Sequence, residues 1–139
     1  LGSQILAKFL GGKVQKGDNG SEVGFSKVEI LDKSDSVFQG ISENFGTAFH
    51  LHEDTFTIPA NAKLLLSSAV YKNQMFSFED RVFGIQCHLE ATYPMIEVWS
   101  EIHSDFIAKS SNASPVLDKK LQSDAEAFGE KIFENILNK

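Results

Sequence analysis

Apolar residues recur at helical spacing at the two ends of the chain and at strand spacing through its middle. Near the start, Ile5, Leu6, Phe9 and Leu10 share one side of a helical turn. They predict a helix over residues 1–10, closed by Gly11 and Gly12. Residues 13–15 predict a short strand, and the turn-rich run 16–21 a loop. In residues 22–31, Val23, Phe25, Val28 and Ile30 alternate enough for a long strand, with Gly24 as a point where it can break. Residues 34–41 predict a short helix capped by Ser34 or Asp35. Further strands are expected over 47–52, 63–68, 73–78 and 82–87, with a loop at Glu53-Asp54-Thr55 and turns at 59–62 and 79–81. After Pro94, which suits the opening turn of a helix, Ile96, Trp99, Ile102 and Phe106 form one apolar stripe. Residues 110–115 read as a linker, and Leu117, Leu121, Ala125, Phe128, Ile132 and Ile136 as the stripe of a last helix. Strands mixed with helices indicate an α/β layer fold, and the hairpin-like central strands make its sheet mixed.

Composition narrows the class. A chain of 139 residues fits one domain, and 42% hydrophobic content is enough to fill a core. The net charge of -6 argues against a nucleic-acid surface or an anionic membrane as partner. No apolar run approaches the ~20 residues of a membrane span, and no basic-then-apolar signal segment opens the chain. A single cysteine excludes an internal disulfide and fits a reducing, cytoplasmic compartment. The apolar helix at residue 1 has neither a cap nor a strand before it. The chain therefore reads as the C-terminal part of one larger domain, cut just before Leu1, with 110–139 as linker and closing helix.

The segment from Phe83 to Glu90 concentrates the candidate chemistry. It reads as a buried central strand ending in a histidine and a carboxylate. Alternation puts Gln86, His88 and Glu90 on one face and Cys87 and Leu89 on the other. A glutamate two residues past a histidine can accept its ring N–H, fix the tautomer and leave the second nitrogen free as a base. A satisfied histidine at a strand end is the other reading of the same pair. His50, His52 and Asp54 would share a face if their strand continued, which is a metal-ligand set. Short polar clusters of this kind are also ordinary solvated strand ends, and no metal is assigned to them. Gln4, one turn into the first helix, stands where an amide can meet a ligand. Cys87, pointing away from His88, reads as core packing rather than as a nucleophile.

Four segments in order carry a resemblance: Leu-Gly-Ser-Gln at 1–4, Glu-Val-Gly at 22–24, His-Glu-Asp-Thr-Phe at 52–56 and Gln-Cys-His-Leu-Glu at 86–90. Over residues 1–107 the chain resembles the class I glutamine amidotransferases, above all stand-alone domains similar to the amidotransferase part of GMP synthase. The resemblance implies a flavodoxin-like open mixed sheet flanked by helices, and a Cys-His-Glu triad. Its cysteine would directly precede Leu1, so residues 1–139 lack the attacking group. By the same resemblance, His88 is the base, Glu90 orients it, and the Leu1 backbone N–H faces the oxyanion. Gln4 and the segment Leu51, His52, Glu53 and Asp54 then border the substrate, glutamine or a γ-glutamyl compound. The implied reaction releases ammonia, without a cofactor, to a synthase partner. Leu89 stands where many members have proline, and Glu53 where many have glycine. A catalytically silent, ligand-binding relative is the alternative function.

Overall fold

The computed structural model describes residues 1–139. In chain order its elements are α1 (Gly2–Phe9), β1 (Val14–Lys16), β2 (Glu22–Ile30), a 3-10 turn (Ser36–Phe38), β3 (Phe45–His52), β4 (Asp54–Phe56), β5 (Ala62–Ser68), β6 (Met75–Phe78), β7 (Val82–Ile85), α2 (Tyr93–Ile102), α3 (Ser104–Ala108), β8 (Asn112–Ala113) and α4 (Lys119–Leu137).

The long alternating segment becomes the backbone of the sheet. One edge of β2 pairs antiparallel with β3, from Glu22 opposite His52 to Glu29 opposite Phe45. Its other edge is shared. β5 takes the C-terminal end, with Ile30 opposite Leu66, and β8 takes the N-terminal end in parallel, with Glu22 opposite Asn112. The sheet runs β3-β2-β5-β6-β7, with β8 added to β2, and β1 and β4 form a separate two-stranded ladder. Met75 and Phe76 show why helices cover both faces. As neighbours on β6 they point to opposite sides. Met75 packs with Leu65, Leu66, Phe128 and Ile132, the last two from α4. Phe76 packs with Phe56 and Ala7, the last from α1. The mixed α/β architecture expected from the pattern is thus present.

Several boundaries differ from the pattern. The long strand does not break at Gly24. It continues with φ 89° there, because the chain at Ser114 and Pro115 runs so close that a Cβ would overlap the Ser114 carbonyl. That crossing chain also turns part of the expected 110–115 linker into β8, through Ser114 N–H to Val23 O (2.8 Å) and Phe25 N–H to Pro115 O (2.8 Å). The expected 34–41 helix shrinks to the 3-10 turn, where the Asp35 carboxylate accepts Val37 N–H at 3.1 Å. Glu53-Asp54-Thr55 is not simply a loop, since Asp54 and Thr55 pair with β1. The helix after Pro94 divides at His103 into α2 and α3. β7 stops at Ile85 and stands last in the strand order rather than centrally.

Candidate active site

Four parts of the fold meet at one hollow of ≈ 380 Å³: the start of α1, the end of β3, the segment after β7 and the junction of α2 with α3. Every residue expected at the site except Glu90 lines it. Leu1 and Gln4 come from α1, Leu51, His52, Glu53 and Asp54 from the β3–β4 corner, and His88 from the segment beyond β7. Gln86, His103 and Phe106 complete the wall. The sequence pattern does not mark His103 and Phe106 as site residues, because the other walls of the hollow come from segments far from them in the chain. Only the polar character of His103 inside an apolar stripe hints at it. A larger hollow of ≈ 740 Å³ lies elsewhere, among Asp35, Lys63, Arg81 and Lys139. It contains neither a histidine nor a thiol, whereas the smaller hollow is lined by His52, His88 and His103.

His88 and Glu90 lie beyond the end of β7, so strand alternation does not orient them. His88 is instead pinned through its backbone to β3, its N–H donating to Phe49 O at 2.7 Å and its carbonyl accepting Phe49 N–H at 3.3 Å. Trp99 of α2 packs its ring 5.0 Å from the imidazole, centroid to centroid. Within this frame His88 Nδ1 meets Glu90 Oε1 at 2.7 Å. Partial burial alone would raise the Glu90 carboxyl, but the hydrogen bond and charge of His88 and nearby backbone N–H groups outweigh it and hold the carboxyl below its ordinary value. α4 supports the segment from behind. Gln122 Nε2 donates to Ala91 O at 2.7 Å, and Gly129 lies so close to the Leu89 carbonyl that a Cβ there would overlap it.

At the other wall, Gln86 ties the first turn of α1 to the end of β7. Its Oε1 accepts from Ser3 Oγ and Gln4 Nε2, both at 3.4 Å. Those bonds are long and act more as positioning contacts than as strong links. Cys87 points into the core beside Val28, Ala48 and Leu89, and burial pushes its thiol far above the ordinary range. It is packing, as its place in the pattern indicated.

The β3 end holds a second polar group. His50 and His52 do not join Asp54, which is exposed and opens β4. Their neighbour is Glu22 of β2, which the spacing along β3 cannot reveal. Its carboxylate lies across the ladder from His52 and is buried with both imidazoles. His50 Nδ1 and His52 Nε2 are each 3.4 Å from Glu22 Oε2, near enough for charge interaction but not in hydrogen-bond alignment. Burial lowers the His50 pKa to about 4, against the opposing pull of Glu22. Burial raises the Glu22 carboxyl, yet His52, His50 and Ser68 together bring it below its ordinary value. Glu53, by contrast, makes a surface pair with Lys16 at 3.3 Å, of the kind that adds little stability.

Residues 1–95 match the family described as Glutamine amidotransferase class-I. One of the subunits of the glutamine-hydrolysing GMP synthase of Sulfolobus acidocaldarius is 34% identical over 109 residues, which is 77% of this chain and 55% of that protein. Gamma-glutamyl peptidase 4 of Arabidopsis thaliana is 30% identical over 94 residues, 65% of this chain and 38% of that protein. A glutamine amidotransferase structure from Thermotoga maritima superposes with TM-score 0.79 and 28% identity, over 98% of this chain and 57% of the other. The chain thus spans about half the length of the curated relatives it matches. On the match through residues 1–95, which takes in α1, the β3–β4 corner and the His88–Glu90 pair, the chain belongs to the class-I glutamine amidotransferase family.

Proposed function

We propose that the complete protein is a glutaminase-type hydrolase working through a Cys-His-Glu triad, to which these residues contribute His88 and Glu90. The observation that carries the reading is the 2.7 Å contact between His88 Nδ1 and Glu90 Oε1, with the imidazole on the same hollow as Leu1 at the start of α1. Glu90 engages Nδ1, so Nε2 is the working nitrogen. The ionised carboxylate fixes the tautomer and stabilises the imidazolium that forms. A cysteine preceding Leu1 would stand at the positive end of the α1 dipole, which lowers a thiol pKa.

The reaction then has two halves. His88 takes the thiol proton, and the thiolate attacks the carbonyl carbon of the γ-carboxamide. The oxyanion meets the backbone N–H of Leu1. His88 returns the proton to the leaving nitrogen, ammonia departs and a thioester remains. His88 next draws a proton from water, whose oxygen attacks the thioester. Glutamate leaves and the thiol is re-formed. Gln4 and Leu51, His52, Glu53 and Asp54 border the bound substrate, the two carboxylates suiting its α-ammonium group. Similarity to glutamine-hydrolysing GMP synthases favours glutamine as substrate and a synthase partner as ammonia acceptor. Similarity to a gamma-glutamyl peptidase supports a γ-glutamyl amide as the second substrate class.

The test is glutamate release by the full-length protein. His88→Ala is expected to lower turnover by at least ~10²-fold, the scale of a general base. Cys87→Ser should leave turnover nearly intact. Near-normal activity in His88→Ala would remove the triad. No activity in the wild type, with glutamine still bound, would turn the reading to a silent binding module.

A further inference from the structure

We propose that Glu22, His50 and His52 form a zinc-type divalent-metal site, built into the β2–β3 ladder behind the wall of the hollow. The site shares His52 with the wall of the hollow and rests on donors that the triad does not use.

Strand geometry brings the three together. His50 and His52 are two residues apart on β3 and so share a face. Glu22 is directly opposite His52, and opposite His50 stands Gly24, which has no side chain to compete for the space. His50 Nδ1 and His52 Nε2 are each 3.4 Å from Glu22 Oε2, and one donor atom from each residue lies within 4.8 Å of the others. A tetrahedral zinc ion with bonds of about 2.0–2.1 Å keeps its ligand atoms roughly 3.3 Å apart. The three donors are thus gathered to about the span of one ion, with Oε1 of the same carboxylate as the ligand oxygen that is left open.

Burial points the same way. The side chains of Glu22, His50 and His52 are 3%, 0% and 6% exposed, and all four imidazole nitrogens are buried without a hydrogen-bond partner. Buried polar atoms are seldom left so. The competing arrangement is a metal-free triad in which both imidazoles donate to Glu22. Oε2 already accepts Gln74 Nε2 at 2.9 Å and Ser68 Oγ at 3.0 Å, which uses both its lone pairs. Oε1 holds only a 3.3 Å bond from Ser26 and has room for a cation. The Ser68 and Gln74 bonds then orient the carboxylate from outside, as supporting bonds do around metal ligands. Two imidazoles and one carboxylate, with a fourth position for water, are a zinc donor set. His52 also lines the hollow, which supplies a route in for the ion.

The experiment uses tag-free, full-length protein stripped with a chelator and dialysed. On titration with Zn²⁺ it should take up about one ion per chain, and with Co²⁺ it should show the intense visible bands of tetrahedral coordination. Glu22→Gln and His50→Gln should each weaken uptake by at least ~10-fold. His88→Gln, which removes the other histidine–carboxylate pair, should leave uptake unchanged. No uptake at micromolar Zn²⁺, or uptake lost with His88→Gln and kept in the other two, would overturn the site. Should the buried variants fail to fold, the wild-type Co²⁺ spectrum decides: strong tetrahedral bands support the site, and weak octahedral ones or none reject it.

Discussion

At the scale of single residues, position in a frame matters more than residue type. His88 and Glu90 touch because the His88 backbone is clamped to Phe49, not because a strand carries them. Asp35 shows the same at a distance from the hollow. Its buried carboxylate caps Val37 N–H at 3.1 Å and meets Lys63 Nζ at 3.0 Å. Burial would raise its pKa, but Lys63 and the Val37 N–H outweigh that and lower it. A depressed folded pKa means stability that is present above the unfolded value, about 3.9, and lost as pH falls through the folded one. Asp35→Asn is therefore expected to cost about 1–2 kcal/mol near neutral pH. The difference from the parent should shrink below about pH 4. Urea unfolding of both proteins across that range checks it. A cost that stays constant as pH falls would mean that the Asp35 charge is not what stabilises the turn.

At the scale of elements, α4 carries the site without touching it. Asp118 starts the helix, its Oδ1 accepting the N–H groups of Lys120 and Leu121 at 2.9 Å each. Gln122 and Gly129 then seat residues 89–91, just beyond His88. Gly129→Ala inserts a Cβ where the Leu89 carbonyl now lies. Overpacking of this kind typically costs about 1–3 kcal/mol. The displaced backbone also moves Glu90 relative to His88, so turnover should fall several-fold while KM changes less. Thermal unfolding and steady-state kinetics on the full-length variant report the two effects separately. Normal stability with normal turnover would show that α4 has no part in placing the pair.

At the scale of the whole molecule, the sheet depends on cover from both sides. α1 covers one face through Ala7, against Phe56 and Phe76. α4 covers the other through Phe128 and Ile132, against Val28, Ala48 and Met75. Burial of each large apolar side chain is worth roughly 1.5–3 kcal/mol. Removing α4 forfeits those two and exposes their partners, a loss comparable with the whole stability of a domain at about 5–15 kcal/mol. Truncation before Lys119 is therefore expected to abolish cooperative unfolding, seen as loss of the near-UV circular dichroism signal. A truncated chain that still melts sharply would mean that the β2–β3–β5 core stands without that cover.

Much of this is legible in the chain itself. Local periodicity determined that α1, β2, β3, β5 and α4 exist, but not which sides they bury. α1 buries Ser3 and Ala7 while Ile5 and Phe9 of its expected stripe are exposed, and β2, β3 and β5 bury residues of both faces. The motifs Leu-Gly-Ser-Gln, His-Glu-Asp-Thr-Phe and Gln-Cys-His-Leu-Glu supplied most of the hollow's wall, and Cys87 is in the core as read from alternation, although β7 ends two residues before it. Tertiary structure alone decided the rest. β8 exists because the chain at Asn112 and Ala113 lands on a free edge of β2. Glu22 joins His50 and His52 because register across a ladder, unlike spacing along a strand, is invisible in one segment read by itself. His103 and Phe106 line the hollow only because the fold brings the start of α1, the β3–β4 corner and the segment after β7 to the α2–α3 junction. Hydrophobic repeat is a property of neighbours in sequence, whereas those three outcomes depend on contacts between residues far apart in it.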